Sequence, residues 1–290
     1  MKTNRTIKSI LYAQPMDMGG MPIRQPFPSQ KAEQIDPFLL LHHADINVPV
    51  HVDTKHAGVG PHPHRGFSPV SFIFKGGVHH RDSRGNDHVV YAGGTQWMNA
   101  GMGVIHSERP PENIHAIGGK QELIQLWVNT PAKHKMDIPA YYPLTAEETP
   151  VITSTDGLTT IQVIAGELNE VKGPIKPLST VNTFTATMKK GGKYFFSIPA
   201  THNVFIYLMD GKVQVKGDSE VDGKYVAVFN QDGEGVALEA LEDTRLFIGT
   251  GEPLHEPMVS HGPFVMNNQT ELMEAFRDYQ LGKMGVLIEA

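Results

Sequence analysis

Two short motifs carry the chemistry of this 290-residue chain: His62-Pro63-His64 and His106-Ser107-Glu108. In an extended strand, residues i and i+2 project to the same face. Each pair therefore aims two ligand-type side chains in one direction, and two neighbouring strands bring all four together. Three neutral imidazoles and one carboxylate form a nitrogen-rich donor set that suits Fe(II), Mn(II), Co(II), Ni(II) or Cu(II). Closed structural zinc sites usually employ thiolates, and the chain has no Cys. Four protein ligands around a roughly octahedral ion leave about two positions for water, O2 or a substrate.

The histidines are unevenly spread. Twelve of the 15 fall in the first 134 residues, which places any metal chemistry in the first half. His80, with Asp82 and Ser83, is a candidate for the pocket wall or for supporting a ligand. Gln125 is a candidate acceptor for the second N–H of a ligand imidazole. Gln96, Trp97 and Met98 read as pocket wall or buried core, and His42, His43 and His115 as structural.

The elements that must position these residues are strands. The chain holds 29 Gly and 21 Pro, an excess that signals many tight turns and an all-β protein. Alternation over 70–75 before Gly76-Gly77 reads as a strand ending in a turn, and 123–128 as a buried strand. Gly93-Gly94, Gly101 and Gly103 permit sharp bends around Trp97. The four Pro of 131–150 suggest a linker between a domain over 1–130 and a second over 151–290. In the second, alternation over 183–188 predicts a strand, and Asp210-Gly211 predicts a type I′ hairpin. Asn268 with Glu271, followed by Leu272, Ala275, Phe276 and Tyr279, predicts a helix over about 268–282 that Gly282 ends.

Composition removes several function classes. Without Cys there are no disulfides, Fe–S clusters or Cys nucleophiles. A formal charge of −6 argues against direct nucleic-acid binding. The N-terminal apolar stretch, 10–13, is shorter than a signal peptide needs, and no run reaches the length of a membrane span. A cytoplasmic protein is the expectation.

The stretches PHPHRGF (61–67), HRDSRG (80–85), GGTQWMNAGMGVIHSE (93–108) and LIQLWVN (123–129) together resemble the pirin family of the cupin superfamily. The tail over 251–285 is similar to the pirin C-terminal region. The resemblance implies an all-β bicupin: two jelly-roll-type β-barrels face to face, metal only in the first, and a short C-terminal helix. It implies His62, His64, His106 and Glu108 as metal ligands, Fe(II) as the ion, and Glu108 as catalytic base. Many pirins carry Glu after RGF, where this chain has Ser68. The activity implied is that of a quercetin 2,3-dioxygenase, cleaving a flavonol with O2 and releasing carbon monoxide. The alternative is a redox-responsive regulator that binds a protein partner, a transcription factor or a metabolic enzyme.

Overall fold

The structure, a computed structural model, describes residues 2–50 and 57–289, without the side chain of His115. The chain divides into two compact units. One comprises Met1–Gln14, Arg24–Leu39 and Glu148–Pro253; the other comprises Pro15–Ile23, Leu40–Glu147 and Leu254–Ala290. Each is built on a seven-stranded and a four-stranded antiparallel sheet, the plan of a jelly roll.

This division differs from a split of 1–130 against 151–290, because both chain ends are exchanged. The strand Ile7–Tyr12 pairs with Tyr225–Phe229 and so joins the later unit. The C-terminal helix Gln269–Gln280 joins the earlier one, packing Leu272 and Ala275 with Phe264, Met266, Met284 and Ile105. The cap is as expected: Asn268 Oδ1 accepts from Glu271 N at 3.0 Å, and Gly282 adopts φ +71° just beyond the end.

The 131–150 segment is not a free linker. Ala140–Leu144 is an edge strand on Thr95–Asn99, and Lys135 is buried. Its Nζ donates to the carbonyls of Gly66 and Val265 and to Asn129 Oδ1. The predicted hairpin at Asp210-Gly211 is also corrected. Asn203–Asp210 lies in the seven-stranded sheet and Lys212–Val215 in the four-stranded one, so the chain turns a corner there. Gly211 has φ +81°, and a Cβ would come within 2.3 Å of Thr244 Oγ1.

The interior of the later unit holds one large apolar cluster, including Phe184, Phe196, Ile206, Leu208 and Leu246. The earlier unit also buries large apolar side chains, among them Phe67, Phe72, Trp97, Ile124 and Leu126, and with them the polar His64, Ser68, Ser71, Gln96, Asn99 and His106. Ser68 donates to Asn99 Oδ1 at 2.8 Å. Among the described residues no helix is long and apolar enough to cross a membrane.

Candidate metal centre

The strand Val59–His64 lies antiparallel to Val104–Arg109, with His62 opposite His106 and His64 opposite Val104. On its other side Val104–Arg109 pairs with Gly77–Asp82, setting His106 against Asp82 and Glu108 against His80. The i, i+2 spacing sends His62 and His64 to one face, where they meet His106. Ligand-type nitrogens of the three rings all lie within 4.8 Å of one another. Imidazole nitrogens sharing one ion at about 2.1 Å are at most about 4.2 Å apart, so a small closure suffices.

Hydrogen bonds set which nitrogen is free. His62 Nδ1 lies 2.8 Å from the Gly60 carbonyl, and His64 Nδ1 lies 3.4 Å from the Pro263 carbonyl. Each Nδ1–H donates, which leaves Nε2 as a lone pair. The third ring is supported by a chain of side chains. Asp82 Oδ2 accepts from His80 Nε2 at 3.1 Å, and His80 Nδ1 then accepts from His106 Nδ1 at 3.4 Å. Burial opposes ionisation of Asp82, but donation from His80, Asn86 and the Arg84 amide outweighs it and holds the carboxyl below its usual range.

The fit to a metal rests on two atoms. Nε2 of His64 and Nε2 of His106 are buried with no hydrogen-bond partner among the described residues. Leaving such an atom unsatisfied costs about 1–3 kcal/mol, and a cation relieves both. Burial, reinforced by the neighbouring imidazoles, holds both rings well below their ordinary value of 6.5. They are thus neutral near pH 7, the form that binds metal.

Glu108 stands outside the group of three nitrogens. Against Val59–His64 the register changes between His106 and Glu108, whereas against Gly77–Asp82 the pairing is regular there. Neutral donors hold the Glu108 carboxylate: Ser71 Oγ at 2.7 Å and Gln96 Nε2 at 3.2 Å on Oε1, and Gln125 Nε2 at 2.7 Å on Oε2. The nearby guanidinium groups are engaged elsewhere, Arg109 with Glu289 and Arg65 with Asp278. Gln125 therefore serves the carboxylate rather than an imidazole, while His80 does support a ring. Ser83 instead donates to the Met284 carbonyl at 2.7 Å, and Trp97 and Met98 are core. His43 is structural, 3.3 Å from the buried Glu122. The backbone at His115 lies in a short helix, but its side chain is outside the described residues.

Three contributors lie outside the motifs: His42, which the sequence suggested was structural, Tyr141 and Pro263. His42 lines a cavity of about 40 Å³ together with Glu108, Gln125, Met18 and Met21. Burial pushes its imidazole down to about 4. Tyr141 and Pro263 lie far from the motifs in sequence, and no local pattern marks them. An open recess of about 790 Å³ shares Met18, Met21, Gly58 and Val59 with that cavity.

The family Pirin matches residues 20–128, and the Pirin C-terminal cupin domain matches residues 183–285. The chain belongs to the pirin family. A Pseudomonas aeruginosa member, named provisionally as a quercetin 2,3-dioxygenase, is 35% identical over 91% of this chain and 92% of its own. A pirin-like protein of Solanum lycopersicum is 32% identical over 96% and 92%. A crystal structure of quercetin 2,3-dioxygenase from Acinetobacter baumannii superposes with TM-score 0.92 at 34% identity, covering 99% of this chain and 100% of that one. The bicupin architecture of pirins is thus that of this chain, and its histidine cluster lies in the unit that the N-terminal Pirin match mostly covers.

Proposed function

We propose that this pirin is a metal-dependent oxygenase of the quercetin 2,3-dioxygenase type, taking a flavonol-like small molecule and O2. The observation that carries the reading is the pair of buried imidazole nitrogens beside His62 that have no hydrogen-bond partner among the described residues, with a carboxylate nearby that accepts from the neutral donors Ser71, Gln96 and Gln125. His62, His64 and His106 hold the ion, with Glu108 as the fourth ligand; Fe(II) is the first choice and Mn(II), Co(II), Ni(II) or Cu(II) fit the same donors. The bound ion supplies open coordination positions and redox or Lewis-acid chemistry.

The chain's own residues do the rest. Glu108 accepts the proton of the flavonol 3-hydroxyl, while Ser71, Gln96 and Gln125 orient its oxygens. The 40 Å³ cavity has room for about one water. The 790 Å³ recess lies within the range of small-molecule sites, about 300–1,000 Å³, and receives the ring system. One O2 enters, and a depside and one carbon monoxide leave.

The test is oxygen uptake and carbon monoxide release with quercetin, on protein reconstituted separately with each of the five metals. Matched consumption and release with at least one metal is expected. No turnover with any of them removes the flavonol reading.

A further inference from the structure

We propose that Tyr141 is a positioning residue that orients the Glu108 carboxylate and the His106 imidazole together. The proposal rests on the reading of these residues as metal ligands, but not on the flavonol as substrate. Tyr141 comes from the edge strand Ala140–Leu144, where it is the Cα partner of Met98, and Gln96 partners Pro143. Gln96 is therefore the diagonal neighbour of Tyr141, within reach of a long side chain.

The hydroxyl forms the first arm. Tyr141 Oη donates to Gln96 Oε1 at 2.8 Å, and Gln96 Nε2 donates to Glu108 Oε1 at 3.2 Å. An amide has one acceptor end and one donor end. Donation into Oε1 turns the Nε2 end toward the carboxylate; the flipped amide would set two acceptors against each other. Burial, then the charges of Glu108 and Asp82, push the phenol up from its usual value, so it stays a donor.

The ring forms the second arm. It stacks on His80 with centroids 3.9 Å apart and planes 6° from parallel. That contact fixes the plane of the imidazole whose Nδ1 receives the His106 N–H and whose Nε2 is tied to Asp82. One side chain thus touches both supports of the site, Gln96 and His80.

The experiment titrates Co(II) into the full chain, reading its d–d absorption and its competition with a chelator, with no substrate present. Loss of a group supporting metal ligands typically weakens binding 10–100-fold. Tyr141→Phe keeps the stack and loses the hydroxyl; about tenfold weaker Co(II) binding and a changed absorption band are expected. Tyr141→Leu loses both arms and approaches about 100-fold. In a Gln96→Leu background, Tyr141→Phe is expected to cost nothing further, whereas Tyr141→Leu still does; a purely structural role would not produce that pattern. Wild-type affinity and spectrum in Tyr141→Phe, or an undiminished loss in the Gln96→Leu background, overturns the proposal. Should the Tyr141 variants not fold, Gln96→Leu alone decides, and unchanged Co(II) binding there overturns it. A wild-type chain that takes up no Co(II) overturns both this and the metal reading, whereas one that binds Co(II) as described but leaves quercetin intact with all five metals overturns only the oxygenase.

Discussion

At the scale of single residues, the centre is a set of imidazoles each committed at Nδ1 and free at Nε2. Pro263, far away in sequence, does for His64 what Gly60 does for His62. This ranks the expected effects. His64→Ala should abolish stoichiometric metal uptake by elemental analysis, because it removes a donor. His80→Gln should retain the ligands but weaken binding by about 10–100-fold in a chelator competition. Glu108→Gln keeps all three imidazoles and loses the base. Its turnover should fall by about 10²-fold or more while some metal is retained.

At the scale of elements, the segment 131–150 matters more than its proline content suggests. It delivers Tyr141 to the site and buries the Lys135 ammonium against Gly66, Asn129 and Val265. Gly66 follows His64 and Arg65 closely and has φ +86°; a Cβ there would come within 2.0 Å of the Val265 carbonyl. Burial, partly offset by the charges of Glu256 and Glu271, pushes Lys135 down to about 8 from 10.5. Between those values the unfolded chain holds more protons, so folding stability rises with pH there and falls as pH drops toward 8. Relative to Lys135→Met, the wild type should gain about 3 kcal/mol from pH 8 to pH 10.5, measured by urea unfolding of both chains at several pH values. A pH-independent difference would show that the ammonium is not desolvated.

At the scale of the whole molecule, the later unit is held by a large apolar cluster, while the earlier one buries the polar side chains of the site among its apolar core. Phe184 lies fully buried in the apolar cluster. Phe184→Ala should destabilise that unit by about 3–5 kcal/mol, seen as a lowered thermal transition, with metal stoichiometry unchanged. A lost metal would mean that the site depends on more than the residues lining it. Saturating metal should stabilise the wild type by about 2.7 kcal/mol at 100 times Kd, a gain that His64→Ala would lack.

Much of this was legible in the chain itself. His-x-His and His-x-Glu spacing carries the strand period, so the convergence of His62, His64 and His106 follows from local geometry once two strands pair. The helix cap at Asn268 was legible for the same reason, because its partners lie within three residues. Tertiary structure alone decided the rest. Ser71, Gln96 and Gln125 gather on Glu108, the exchanged chain ends bring Pro263 to His64, and the supposed linker supplies Tyr141. Those contacts join residues tens to hundreds of positions apart, and no periodicity encodes them. They arise only when sheets close and a buried donor must find an acceptor wherever the chain has placed one.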